Sequence, residues 1–331
     1  MAAIVEAQNL VKKFGDFEAV KGISFTVEEG EVFGLLGPNG AGKTTTISML
    51  TGLFPPTSGT ARINGHDIQK EPLLAKQMCG LVPQDLALYP TLSARANLDF
   101  FGRVYGLSGR KLKENIEDIL RVVALTDRAD QAIEKYSGGM KRRVNIAAGL
   151  VHQPRLLFLD EPTVGVDPQS RNYIFESVQR LNRERGMTII YTSHYMEEVE
   201  LLCNRVAIVD QGKLIALDTI KNLVGMLGGG VLRIGLKQAD AALLEALSNL
   251  PAVQNASVLQ TVTLTPPEEK EATIQVAQPV TVKVETKNSQ QALIQVINYL
   301  EEKNQTLLSL DILENNLESV FLHLTGKQLR E

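Results

Sequence analysis

Val32-Phe-Gly-Leu-Leu36 runs directly into Gly37-Pro-Asn-Gly-Ala-Gly-Lys43-Thr44, and this stretch decides the fold. The first five residues are continuous apolar sequence, the signature of a strand buried on both faces. The next eight match the pattern G-x-x-x-x-G-K-[ST] in full. Glycines allow main-chain N–H groups to curl around phosphate oxygens where a side chain would block the approach. Lys43 then supplies a point charge to the β- and γ-phosphates, and the Thr44 hydroxyl is suited to Mg²⁺. A helix-forming run from Lys43 to about Thr51 follows, aiming its positive end at the same anion. Gly52 and Pro55-Pro56 close that helix.

Working outward, Leu156-Leu-Phe-Leu-Asp160-Glu161-Pro162 is a second apolar strand, and it ends in two carboxylates. Asp160 at the tip is placed to hold Mg²⁺, and Glu161 to position an attacking water. Tyr136-Ser137-Gly138-Gly139-Met140 opens the helix 141–151, a second anion-seeking helix end, although for Ser-Gly-Gly alone a plain Ser N-cap is the favoured reading. Ile4–Leu10 and Ile23–Val27 read as further strands, and Thr188–Thr192 as another that leads into polar loop chemistry. Between about Leu92 and Gly149 the strand signal disappears, and Leu98–Val104 and Leu112–Val123 have helical periodicity. Asp167-Pro168 is a helix start, with Asp as cap and Pro at the first position. Such alternation implies a mostly parallel α/β sheet with ligands at the carboxyl ends of its strands.

The 331 residues are 44% hydrophobic and 22% charged, a globular composition with room for two domains. No apolar run is long enough to cross a bilayer, and the first residues lack the pattern of a secretory signal. Cys79 and Cys203 fit neither a disulfide framework nor a zinc cluster, so a reducing cytoplasm is the expected compartment. The net charge of −4 and the 8 basic against 12 acidic residues after position 230 argue against nucleic acid as a partner. Lys141-Arg142-Arg143 is the one basic cluster that invites that reading, and at a helix start it is expected to be a solvated or ion-paired face.

Taken together, these motifs make the chain resemble the nucleotide-binding subunit of ATP-binding-cassette (ABC) transporters over roughly residues 1–225. The resemblance implies a P-loop ABC ATPase fold: a mostly parallel sheet core, an antiparallel N-terminal β-subdomain and an inserted helical subdomain at about 86–150. It implies ATP and Mg²⁺ as ligands. Gly37, Pro38, Asn39, Gly40, Ala41, Gly42, Lys43, Thr44 and Thr45 would form the phosphate loop, and Asp160 would be the metal-binding carboxylate. Glu161 matches the catalytic glutamate. Gln84, in Val82-Pro-Gln-Asp85, matches the glutamine that senses Mg²⁺ and contacts the membrane partner. Ser137, Gly138 and Gly139 match the signature loop, and Gly165-Val-Asp167 the loop that supplies Asp167 to the nucleotide site. His194 matches the switch histidine. Phe14, in Lys12-Lys-Phe-Gly15, falls where the family stacks an aromatic on adenine. The signature departs from the common pattern, reading Tyr-Ser-Gly-Gly-Met rather than Leu-Ser-Gly-Gly-Gln. That variant resembles the drug-resistance-type exporter ATPases that work with ABC-2 membrane proteins, as do Leu88-Tyr-Pro-Thr-Leu92 and 317–325.

The resemblance further implies two copies packed head to tail around two ATP molecules, a homodimer in the simplest case, with integral membrane permease subunits as partners. The chain would then lie on the inner face of the cell membrane, held there by the permease. A soluble ABC ATPase acting on ribosomes or nucleic acid is the alternative, set against the single cassette and the acidic tail. Gly228-Gly229-Gly230 marks the expected boundary between a nucleotide-binding domain, 1–227, and an accessory domain, 228–331. The tail reads strand, helix, strand, strand, helix, strand, the βαββαβ order of a ferredoxin-like α+β unit, followed by a helix. The segment 265–279, with Pro266-Pro267 and a charged run, is expected to be an exposed hairpin loop.

Overall fold

The computed structural model describes residues 2–259 and 280–326. These residues fall into two compact units, one ending at Ile220 and the other spanning Lys221–Gly326. The first unit opens with a long hairpin, β1 (Ala3–Phe14) and β2 (Phe17–Glu28), followed by β3 (Val32–Leu36) and α1 (Lys43–Leu50). Then come β4 (Ser58–Ile63), β5 (His66–Asp67), α2 (Pro72–Met78) and β6 (Cys79–Val82). Three helices follow: α3 (Ala94–Val104), α4 (Gly109–Val122) and α5 (Gly138–Leu150). The chain returns through β7 (Leu156–Asp160), α6 (Pro168–Arg185), β8 (Thr188–Ser193), α7 (Met196–Leu202), β9 (Arg205–Asp210) and β10 (Lys213–Thr219).

Six of these strands form one sheet in the order β10-β9-β3-β8-β7-β6, parallel throughout except for β10 at the edge. Every residue of β3, β7 and β8 is buried, as expected for strands covered on both faces. The smaller antiparallel sheet, β2-β1-β4-β5, shares one core with it: Val5, Phe25 and Ile63 join Phe33, Leu50, Phe158 and Val209. The hairpin runs further than the apolar pattern suggests. In β1 the register shifts between Ala7 and Leu10, and Asn9 takes φ 49°, a bulge in the polar stretch that hides the strand. Helix α5 lies very close to β6. A Cβ on Gly80 would fall 2.0 Å from the Gly149 carbonyl oxygen, so only glycine permits that approach.

The second unit contains α8 (Ile220–Gly225), β11 (Val231–Leu236), α9 (Ala241–Ser248), β12 (Val253–Val258), β13 (Val280–Thr286), α10 (Ser289–Glu302), β14 (Leu307–Leu313) and α11 (Leu317–Thr325). Its strands order β12-β13-β11-β14, all antiparallel, which is the ferredoxin-like arrangement. Leu232, Ile234, Val282 and Val284 pack beneath Leu247, Val296 and Leu300 of the two helices that cross this sheet. The division between the units falls before the glycine run. Gly229 and Gly230 pack inside the second unit, where a Cβ on either would meet main-chain oxygen at 2.4 Å, from Thr286 and Leu313 respectively. The segment 265–279, expected as a hairpin loop, lies outside the described residues.

Candidate nucleotide site

Strand order explains how distant motifs meet. β3, β8 and β7 are neighbours, and their carboxyl ends carry the glycine loop, His194 and Asp160-Glu161; β6, beside β7, ends one residue before Pro83-Gln84. In register, Leu36 pairs with Ser193 and Asp160 with Thr192. Four separate pieces of sequence therefore open on one edge of the sheet, where open α/β sheets bind ligands.

Glu161 is the centre of the cluster. Its Oε1 lies 3.1 Å from the Lys43 Nζ, and its Oε2 lies 3.3 Å from His194 Nδ1 and 3.4 Å from Gln84 Nε2. The His194 nitrogen is buried and, although close, is not aligned for a hydrogen bond to any partner. Glu161 itself has φ 45°, an uncommon conformation for a residue with a Cβ, held by its N–H donating to Thr192 Oγ1. The same Thr192 hydroxyl donates to Asp160 Oδ1 at 2.7 Å, so one buried side chain sets both acidic residues.

A cavity of about 410 Å³ opens over the loop, lined by Phe17, Ala19, Pro38–Thr45, Gln84 and Glu161. The loop is shaped by its glycines. A Cβ on Gly37 would fall 2.1 Å from Val209 O, and Gly42, at φ 103°, would place one 2.7 Å from Ala19 O. Lys43 Nζ folds back to Gly37 O at 2.7 Å and Pro38 O at 3.2 Å, bracing the loop from within. This cradle of main chain, one buried ammonium and a helix start fits a polyphosphate. Of the residues expected at Mg²⁺, Thr44 and Gln84 line this cavity and offer oxygen donors, whereas the buried Asp160 carboxylate accepts from Thr192 and is not part of the lining. Among the described residues no group of three or more His, Cys, Asp or Glu side chains forms a cage for a metal ion.

The remaining candidates lie elsewhere. Ser137 is exposed and caps α5, accepting from Met140 N at 3.2 Å, so the plain capping reading holds within one chain. Ser137, Gly138 and Gly139 do not line the Lys43 cavity. Gly139 packs instead at the start of α6, where a Cβ would collide with the Ser170 hydroxyl and lie 3.3 Å from Asp167 Oδ1. Asp167 caps α6 through Ser170 N at 3.0 Å, and that bond holds its carboxyl below the ordinary range. Phe14 does not line the cavity either. Its ring meets Phe54 edge-on at 5.7 Å, with the Lys12 ammonium 5.2 Å from its centre. Its cross-strand partner Phe17, 65% exposed, does line the cavity.

The sequence alone does not single out Thr192 or Glu198. The buried Glu198 Oε2 accepts from Thr163 Oγ1 and Tyr191 Oη, both at 2.8 Å, and from Ser193 Oγ at 3.1 Å. It thus fixes chain on both sides of the site, two residues after Glu161 and one before His194. Burial, and then the Glu198 charge, push the Tyr191 phenol well above its ordinary value, so it stays a donor. Glu198→Gln exchanges a charged acceptor for a neutral one. It is expected to lower stability by about 1–2 kcal/mol, seen as a lower melting midpoint; an unchanged midpoint would mean the three hydroxyls do not depend on the charge. A Glu inside the otherwise apolar-facing Met196–Leu202 pattern was the available signal. The basic cluster also needs correction: Arg142 is 3% exposed, and Arg143 is half-buried with its guanidinium 5.0 Å from the Tyr173 ring centre, so neither forms a solvated face.

Comparison with known proteins agrees with this geometry. The family described as ABC transporter matches residues 20–164. The linearmycin resistance ATP-binding protein LnrL of Bacillus subtilis is 48% identical over 329 residues, covering 99% of this chain and 100% of that one. The daunorubicin resistance ATP-binding protein DrrA2 of Streptomyces coeruleorubidus is 37% identical, covering 97% and 95%. Among solved structures, the dimeric post-hydrolysis state of the ATP-binding cassette MJ0796 bound to ADP and Pi aligns at a TM-score of 0.59 and 25% identity, covering 65% of this chain and 98% of that one. The chain belongs to the ABC transporter family, as an ATP-binding, ATP-hydrolysing cassette protein.

Proposed function

We propose that this chain is the ATP-hydrolysing subunit of an exporter for a drug-like compound. The observation that carries the hydrolytic reading is the convergence of Lys43, Gln84 and His194 on the Glu161 carboxylate. The export reading is supported by the relatives above, which are resistance proteins and match both units of the chain.

Lys43 and the loop N–H groups bind the β- and γ-phosphates. Lys43 is shared in the structure between Glu161 and two loop carbonyls, and phosphate is a stronger competitor for that ammonium than a carboxylate. Its transfer leaves Glu161 free to accept a proton as water attacks the γ-phosphorus and the bond to ADP breaks. His194 holds Glu161 and the departing phosphate region. Gln84, Thr44 and Asp160 are the residues that would hold Mg²⁺, which neutralises phosphate charge when bound. Ser137, Gly138, Gly139 and Asp167 lie outside this chain's own cavity and act on the nucleotide of a second copy packed head to tail. The similar cassette MJ0796, dimeric with ADP and Pi bound, supports two copies as the working unit.

No helix among the described residues is long and apolar enough to cross a membrane. Transport therefore calls on a permease partner, which would hold the chain at the inner face of the membrane. A groove of about 580 Å³ lined by Leu53, Leu73, Leu81, Val104 and Tyr105 supports this, since several of those apolar side chains are exposed. Gln84, on the loop that follows β6, links the site to that side of the unit. Co-purification of the chain with a multi-span membrane protein tests the reading; co-purification with ribosomes instead would favour the soluble alternative.

Adenine stacks on Phe14, which Phe54 and Lys12 brace while leaving it 49% exposed. Phe14→Ala is expected to weaken ATP and GTP in parallel, by about 1–2 kcal/mol, in a fluorescence titration with each nucleotide. Unchanged affinity there, with a loss in Phe17→Ala, would move the stacking role to Phe17.

A further inference from the structure

Arg142 sits on the second turn of α5 and is buried, the charges of Asp160, Asp85 and Glu161 acting on it without any hydrogen-bonding its guanidinium directly. Five main-chain carbonyls do so instead. Nε donates to Pro162 O at 2.6 Å; Nη1 donates to Pro83 O and Gln84 O, both at 2.8 Å; Nη2 donates to Asp160 O at 3.1 Å and Glu161 O at 2.9 Å. A guanidinium has five N–H donors in a fixed fork, and this one has a carbonyl for each. Two of those oxygens belong to the Gln84 loop and three to the turn around Glu161. Asn145, three residues further along α5, adds to the first group: its Oδ1 accepts from Ala87 N at 3.1 Å and its Nδ2 donates to Pro83 O at 3.3 Å.

We infer that Arg142 is a positioning residue for hydrolysis, fixing Gln84 and Glu161 relative to each other and tying both to the helix that Ser137 begins. The inference rests on the hydrolytic reading of Glu161 given above. The Glu161 backbone sits at φ 45°, a conformation that persists only where its surroundings enforce it, and Arg142 bonds the carbonyls of that residue and of both its neighbours. Because Ser137 caps α5, a displacement of that helix end is transmitted to Gln84 and Glu161 through one rigid side chain. Lys cannot replace it. An ammonium offers three donors from a single point and cannot span carbonyls on two segments.

The test uses the purified full chain with Arg142→Lys and Arg142→Gln, measuring the ATP dissociation constant, kcat and KM, alone and combined with Gln84→Ala. Arg142→Lys is expected to leave ATP affinity within about twofold of the parent, since Lys43 and the loop are untouched, while kcat falls on the order of tenfold. Gln84→Ala should then cost less in the Arg142→Lys background than in the parent, because its placement is already lost. The Arg142→Gln chain, smaller and neutral, should show the same split if the Lys variant does not fold. A kcat within about twofold of the parent, or fully independent effects of Arg142→Lys and Gln84→Ala, would overturn the inference. So would a loss of thermal stability with kcat per folded chain preserved. Glu161→Gln measured in parallel keeps the two claims apart. Its loss of hydrolysis beside an active Arg142→Lys sinks only the positioning role, whereas an active Glu161→Gln sinks the reading beneath it.

Discussion

Glu161→Gln is expected to abolish most phosphate release while leaving ATP bound. Gln keeps nearly the same shape and a hydrogen-bonding oxygen for Gln84, but it can neither accept a proton nor carry charge. Losing a general base costs about 10²–10⁴ in rate. Affinity should not fall. In the structure the carboxylate occupies the same ammonium that the phosphates need, at 3.1 Å, and removing its charge takes away both that competition and its repulsion of the γ-phosphate. A phosphate-release assay beside a nucleotide titration separates the two effects. Hydrolysis close to that of the parent would contradict the role given to Glu161.

Lys43→Ala should do the reverse and lose binding. Its ammonium is almost fully buried, braced by Gly37 O and Pro38 O, and paired with Glu161. Truncating one member of a buried, hydrogen-bonded charge pair costs about 2–5 kcal/mol, and here the same group binds phosphate. The folded protein should suffer too, because Glu161 is left buried without its cation. The double variant Lys43→Ala with Glu161→Gln removes that orphaned charge, so its melting midpoint should recover part of the loss while ATP binding stays absent. ATP affinity near that of the parent in Lys43→Ala would contradict the assignment of the loop.

How much of this was legible in the sequence follows from where the information resides. Val32–Thr44 could be read because a buried parallel strand must be continuously apolar and a phosphate loop must be glycine-rich. The ferredoxin-like order of the second unit was equally visible in alternating strand and helix patterns, and β12-β13-β11-β14 has that topology. The length of β1 was not visible. Its bulge at Asn9 breaks the alternation on which strand reading depends. Arg142 was misread for a different reason: a charged residue at a helix start is ordinarily solvated, and its five partners are main-chain oxygens that no side-chain pattern encodes. Glu198 was missed because its Thr163 partner lies 35 residues upstream, after β7, where only the sheet order brings it beside the end of β8. Ser137 and Asp167 lie outside this chain's own cavity, and the roles proposed for them rest on family resemblance alone.

The mass in solution of the full-length Glu161→Gln chain, by sedimentation with ATP and Mg²⁺ and separately with ADP, tests the central claim most directly. A site completed by Ser137 of a second copy requires ATP to hold two chains together when hydrolysis is blocked. The account predicts a dimer with ATP and a monomer with ADP, and a monomer in both when Lys43→Ala is added. A chain that binds ATP tightly yet stays monomeric would contradict the head-to-tail mechanism for this subunit.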